Sequence, residues 1–252
     1  VVGVVRVARG QQVGQVLGVS AGDVVVCSTG LIGERLPLEK VLAGVSAAAG
    51  ALSPSGGPDA AVAIMTTDSV PKEVHVMREG WSVGGMAKGA GMLAPAMATM
   101  LSVLTTDAVV APGDALPALR AATGVTFDRV DSDGCMSTSD TVTLLASGAS
   151  GIAVTREELT SALTEACASL ARALVADAEG ATHDIAVHVV GADSETAAVA
   201  VARSVTRSNL VKAAVFGNDP NWGRVLAQVG TVPVEVAAFE PEAIDVSING
   251  VQ

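Results

Sequence analysis

Hydroxyl groups, more than histidines or cysteines, are where this sequence can do chemistry. Thr29-Gly30 follows the apolar run Val24-Val-Val-Cys27, and Thr66-Thr67-Asp68 follows a second run, Ala60 to Met65. Thr99 ends the block Lys88-Gly-Ala-Gly-Met-Leu-Ala-Pro-Ala-Met-Ala-Thr99, eleven residues after Lys88. A threonine hydroxyl is a competent nucleophile when its own α-amine serves as base, which requires a chain cut that makes it an N-terminus. A buried, irregular segment holding Gly89, Gly91 and Pro95 is a place for such self-cleavage, because its backbone polar groups need specific partners. The commoner role of a buried threonine is a hydrogen bond to backbone. The block also reads as a Gly-rich strand packed closely on a neighbour, and on composition alone that reading is the simpler.

Other chemistries find little support. The histidines at 75, 183 and 188 lack metal-ligand spacing, so no metal site is expected. Asp131-Ser-Asp-Gly134 begins like a calcium loop but has no Glu at the twelfth position. Gly18-Val-Ser-Ala-Gly22 has the GxSxG spacing but follows no expected strand, so there is no nucleophile elbow, and there is no phosphate-binding GxxxxGK[ST] loop. The three cysteines, at 27, 135 and 167, are odd in number and make no CxxC pair, which suits a reducing compartment and a cytoplasmic protein. A net charge of −11 with 2% aromatic residues argues against nucleic acid as a partner. No uncharged apolar run is long enough to span a membrane. Val1 to Gly10 carries Arg6 and Arg9, which break the apolar stretch that a signal peptide needs.

The elements that must position these residues read as a mixture. Strands are expected at 23–27, 60–65, 140–146, 184–190, 211–216, 225–229 and 244–248. Helices are expected at 38–51, 112–122 and 195–207. Thr155-Arg-Glu-Glu158 is a capping box opening a further helix. In it Leu159, Leu163, Cys167, Leu170 and Leu174 recur at steps of four, four, three and four, one apolar face at helical period. Cys167 is therefore a core residue. Ser53-Pro-Ser-Gly-Gly-Pro58 is a loop. The fold class is α/β or α+β, with helices covering sheet faces.

The Lys88–Leu101 block followed by Thr105-Thr-Asp-Ala108 resembles the signature of the ornithine acetyltransferase family of arginine biosynthesis, whose members are also called glutamate N-acetyltransferases. Supporting blocks follow in order: Cys27-Ser-Thr-Gly-Leu-Ile-Gly33, Ile64-Met-Thr-Thr-Asp68 with Pro71-Lys72, Asp140-Thr141, Asp177-Ala-Glu-Gly180 and Asp219-Pro-Asn-Trp-Gly-Arg224. The similarity runs from about Leu17 to the last few residues.

The resemblance implies an α/β fold, an αββα-type sandwich of the self-cleaving aminopeptidase-like superfamily. It implies an autocatalytic cut between Ala98 and Thr99, giving an α chain, 1–98, and a β chain, 99–252, that form one catalytic unit. Thr99 is then the nucleophile that carries an acetyl group from N-acetylornithine to glutamate. Thr29 and Gly30 match the oxyanion-stabilising pair. Thr66, Lys88 and Glu179 match substrate-contacting positions; by sign, Lys88 suits a carboxylate and Glu179 a cationic amine. Asp219 to Arg224 is expected to be structural. No cofactor is implied, and acetyl-CoA is left open as a co-substrate. Association into a dimer of αβ units or larger is expected. Residues 1–98 carry seven basic and seven acidic groups, so the whole acidic excess falls on 99–252.

Two departures accompany the resemblance. Val1 to Gln15 does not match the family's Asn/Gly-rich stretch. The chain also stops before a tail that supplies an Asn and a Ser or Thr to the pocket, so parts of both termini are expected to be lacking. Two rivals remain. One is an N-terminal-nucleophile aminopeptidase or amidohydrolase of the same fold, in which water is the acceptor. The other is a non-catalytic fragment without a complete pocket.

Overall fold

The computed structural model of the chain describes residues 2–31, 33–94 and 99–251, with side chains described from residue 6 onward. Three helices come first: α1 (Val2–Leu17), α2 (Leu38–Gly50) and α3 (Gly57–Ala63). A hairpin follows, β1 (Lys72–Arg78) and β2 (Trp81–Lys88), turned by Glu79 and by Gly80 at φ 80°. β3 (Leu101–Thr106) pairs antiparallel with β2. A crossover containing α4 (Ala115–Gly124) then brings β4 (Thr141–Ala146) parallel to β3. The order is β1-β2-β3-β4 in one four-stranded sheet.

Strand alternation assigns the two faces of this sheet. Val74 and Val76 of β1, Val83 and Ala87 of β2, and Leu104 of β3 face α5 (Arg156–Ala176), whose apolar stripe covers them. Leu159, Leu163, Cys167 and Leu170 are all fully buried there. Ala162 and Ala166 on the same stripe are small enough to let the helix lie close to the sheet. Gly85 is required for the same reason, since a Cβ at that position would lie 2.6 Å from Leu104 Cδ2. The capping box forms as the sequence predicts: the Glu158 N–H donates to Thr155 Oγ1 and the Thr155 N–H donates to Glu158 Oε2. These bonds hold the Glu158 carboxyl below the usual carboxylate range. Burial pushes the Cys167 thiol up to about 12, consistent with an inert core cysteine. α5 is the one described helix long and apolar enough to cross a membrane, and here it is the core helix.

A second, smaller cluster joins α6 (Glu195–Thr206), α7 (Asn209–Phe216) and α8 (Trp222–Val229) through Val205, Val211 and Val229. Side chains of Ser194, Ser208 and Asn221 cap their N-termini.

The mixed α/β class is the one the sequence predicts, but several elements differ. Residues 211–216 and 225–229, expected as strands, are α7 and α8. Their apolar residues recur at three and four (Val211, Ala214, Val215; Trp222, Val225, Leu226, Val229), and each helix has a capping side chain just before it. Residues 60–65, also expected as a strand, lie mostly in α3, started by Pro58 in its first turn. Of residues 23–27, Asp23 ends a 3-10 turn capped by Ser20 and the rest pair with no described strand. Residues 184–190 alternate in burial, as a strand does, yet belong to no described ladder. Residues 244–248 reach only the isolated bridge from Ile248 to Val251. The hairpin β1–β2 and strand β3 lie outside the strands that the sequence predicts; Gly84 and Gly85 interrupt the pattern of β2.

Candidate active site

The site begins where β2 ends. Lys88 lies on the face of the sheet turned away from α5 and is 1% exposed. Its ammonium donates to Thr29 Oγ1 at 2.8 Å and to Thr66 Oγ1 at 2.8 Å. Three of the residues singled out by sequence thus meet at one nitrogen, from two loops and a strand end. Burial pulls the Lys88 pKa down; the Asp68 carboxylate pulls it back up and the Lys72 cation pushes it further down.

Asp68, which sequence reasoning quoted in a motif but gave no role, is the hub behind these contacts. Its Oδ1 accepts from Lys72 Nζ at 2.7 Å and from the Gly89 N–H at 2.6 Å, and its Oδ2 accepts from the Thr66 N–H at 3.1 Å. Lys72 Nζ also donates to Asp177 Oδ2 at 2.6 Å, and the Ser69 N–H donates to the same oxygen at 2.9 Å. Burial works to raise the Asp68 carboxyl, but the Gly89, Lys72 and Thr66 donors outweigh it and hold the group below the usual range. Asp177 is held low in the same way by Lys72 and Ser69. The four-residue spacing of Asp68 and Lys72 is the available signal, though the pair spans a loop and β1 and not a helix.

Thr99 closes a loop. Its backbone N–H donates to the Met92 carbonyl at 2.9 Å, and the Met92 N–H donates to Asp133 Oδ2 at 2.9 Å. Met92 has φ 55°, a left-handed conformation that costs a side-chain-bearing residue about 1–2 kcal/mol. Gly89, at φ 153°, packs so closely that a Cβ there would sit 3.3 Å from the Thr99 carbonyl oxygen. The next residue is gripped on both sides: the Met100 N–H donates to Asp140 Oδ1 at 3.0 Å, and the Thr141 N–H donates to the Met100 carbonyl at 3.1 Å. Burial pushes the Asp140 carboxyl up to about 7, with the Met100 donor opposing and Asp128 adding to the rise.

Glu179 sits just past the end of α5 and is exposed. Its N–H donates to the Ala90 carbonyl at 2.6 Å, and its carboxyl group lies 3.4 Å from where a Cβ on Gly91 would be. Lys88, Glu179 and Thr99 therefore all attach to the strip Lys88 to Met92. Gly30, at φ 152°, is exposed beside Thr29. Ala98, the residue before the expected cut, lies outside the described residues. The structure brings Thr29, Thr66 and Lys88 into direct contact, and it holds Glu179 and Thr99 on that strip through its backbone. Asn221 caps α8 and the Arg224 guanidinium donates to the Leu210 carbonyl, both structural contacts. Among the described residues, no group of three or more His, Cys, Asp or Glu side chains is placed to hold a metal ion.

Comparison with known proteins gives the family. Residues 5–252 match the ArgJ family, so all but the first four residues of Val1–Gln15, expected to fall outside the similarity, lie within it. The chain is 57% identical over 244 residues to the arginine biosynthesis bifunctional protein ArgJ of Streptomyces coelicolor, covering 97% of this chain and 63% of that protein. It is 53% identical over 249 residues to the ArgJ of Bifidobacterium longum, covering 98% of this chain and 64% of that one. It is 60% identical over 232 residues to the ArgJ of Thermobifida fusca, covering 92% and 60%. The chain spans about three fifths of the length of these curated relatives. A solved ArgJ from Bacillus halodurans aligns at 34% identity with a TM-score of 0.49, covering 55% of this chain and 74% of that one. The chain belongs to the ArgJ family.

Proposed function

We propose that the protein is an acetyltransferase of arginine biosynthesis that cuts itself between Ala98 and Thr99 and then moves an acetyl group from N-acetylornithine to glutamate. The observation that carries the reading is the meeting of Thr29, Thr66 and the buried Lys88 beside the strip that binds Thr99 and Glu179.

The cut starts when Thr99 Oγ1 attacks the Ala98 carbonyl carbon. The peptide nitrogen leaves as an amine, an ester forms, and water hydrolyses it to an Ala98 carboxylate and a free Thr99. The freed α-amine, with an unperturbed pKa of roughly 8, is then a base for the hydroxyl beside it. Thr99 Oγ1 next attacks the acetyl carbonyl of N-acetylornithine, ornithine leaves with the proton on its amine, and acetyl-Thr99 remains. The amine of glutamate attacks that ester, N-acetylglutamate departs, and the hydroxyl is restored.

The residues divide the remaining work. Thr29 Oγ1 accepts a charged hydrogen bond from Lys88, which leaves its own O–H to donate and polarises it toward an oxyanion. The Gly30 N–H is the second donor, and such a donor contributes about 3 kcal/mol to the transition state. Lys88 pairs with the substrate α-carboxylate, Thr66 hydrogen-bonds beside it, and Glu179 holds the distal ammonium of ornithine. The pairing of β2 with β3 supports continued association of the two chains, in a cytoplasmic enzyme with no bound cofactor.

The test is incubation with N-acetylornithine and glutamate, followed by detection of N-acetylglutamate. Free acetate with no N-acetylglutamate assigns the protein to hydrolysis instead. An intact mass showing one uncut chain counts against the nucleophile. Replacing N-acetylornithine by acetyl-CoA tests a second acetyl donor.

A further inference from the structure

The Asp68, Lys72 and Asp177 side chains are 0%, 1% and 8% exposed, a buried ion triad formed by groups from three segments. Buried charges are costly, and well-packed apolar residues commonly serve stability as well or better. What this triad adds is register. Asp68 binds the backbone of the site directly: it takes the N–H of Gly89, which follows Lys88, and the N–H of Thr66 itself. Asp177 takes the Ser69 N–H and stands two residues before Glu179. Lys72 bolts the two carboxylates together across what becomes the break between chains.

We propose that the Asp68–Lys72–Asp177 triad is the positioning device of the substrate pocket, with Asp68 holding Lys88 and Thr66 in place for a substrate carboxylate. The inference rests on the acetyl-transfer reading. The charged groups acting on Lys88 are Asp68 from the loop before β1 and Lys72 from β1; Thr29 and Thr66 face it as neutral hydroxyls. Asp68 favours the Lys88 cation and Lys72 opposes it. Removing the two partners therefore moves Lys88 in opposite directions, whereas a general loosening of the fold exposes Lys88 and moves it upward in both cases.

The experiment follows the Lys88 ammonium by NMR with isotope-labelled lysine, alongside steady-state kinetics normalised to the count of cut chains. In Asp68→Asn the Lys88 titration moves to lower pH. KM for N-acetylornithine rises about tenfold or more while kcat stays within about threefold. In Lys72→Met the Lys88 titration moves to higher pH, and Lys72→Arg restores the wild-type KM. Asp177→Asn, nearer the surface, shows a smaller rise in KM and carries the kinetic test if Asp68→Asn does not fold. Unchanged KM and an unchanged Lys88 titration in folded variants overturn the proposal, as does a loss confined to kcat. If the wild type makes no N-acetylglutamate but Lys88 obeys both signs, the acetyl-transfer reading falls and the triad's hold on Lys88 stands.

Discussion

The backbone nitrogen of Thr99 points its hydrogen at the carbonyl of Met92, 2.9 Å away. The atom tied down by this bond is the one that the proposed cut turns into the α-amine. On that reading Met92 holds the future base in place before the cut. The bond depends on Met92 keeping φ 55°.

Met92→Ile places a β-branched residue in that left-handed conformation and is expected to destabilise the chain by about 1–3 kcal/mol and slow the cut. Met92→Asn, which tolerates the conformation, is expected to cut at a near wild-type rate. Intact mass against time after synthesis measures both, and equal rates for the two variants remove any role for the Met92 backbone.

Thr99→Ala lacks the hydroxyl and is expected to stay a single chain. Thr99→Ser keeps it and is expected to be processed. Normal processing of Thr99→Ala sinks the nucleophile.

Gly91→Ala sets a methyl 3.4 Å from the Glu179 carboxyl group. The methyl makes an ordinary contact with the exposed Glu179 side chain, so stability is expected to change by less than about 1 kcal/mol. KM for N-acetylornithine is expected to stay near wild type in Gly91→Ala, whereas Glu179→Gln, which removes the charge, is expected to raise it several-fold through loss of the ammonium contact. Gly85→Ala is the control, because its methyl would lie 2.6 Å from the buried Leu104. It is expected to cost about 1–3 kcal/mol by overpacking, read as a lower denaturant midpoint.

Stability against pH has two opposed contributions. Asp140 ionises at about 7 in the folded chain, above its unfolded value, so the folded state holds the extra proton. Stability from this group is full below the unfolded value, near about 4, and falls as pH rises toward the folded one. Asp68 and Asp177 are held low, so their stabilisation is present above the ordinary carboxylate range and disappears as pH falls through their lowered values. Asp140→Asn is expected to flatten the decline between about pH 4 and pH 7 and leave acid unfolding unchanged. Identical thermal midpoints across that range in both proteins contradict the assignment.

Legibility in the sequence followed local signals. α5 is readable because a capping box and a helical stripe agree, and β4 because Asp140 to Ala146 alternates. α7 and α8 were misread because short apolar runs look alike in either state, and the caps at Ser208 and Asn221 decide the matter. β1 and β2 are not legible because Lys72 and Lys88 end them, and Asp177 and Thr29, which pair with these charges, lie 105 and 59 residues away. The same blindness hid the triad. Thr29, Thr66, Lys88, Thr99 and Glu179 were found as motif members, but no local pattern announces that Asp68 and Asp177 share one ammonium.

The ladder between β2 and β3 has a consequence for molecularity. It runs from Val83–Thr106 to Lys88–Leu101, straddling the proposed cut. Before the cut, forming this ladder is a first-order event within one molecule. Afterwards, two fragments must find each other, so renaturation becomes second-order and its yield depends on dilution. The uncut Thr99→Ala chain is expected to refold equally well at any dilution. The mature pair would keep by kinetics an arrangement that its precursor reached alone.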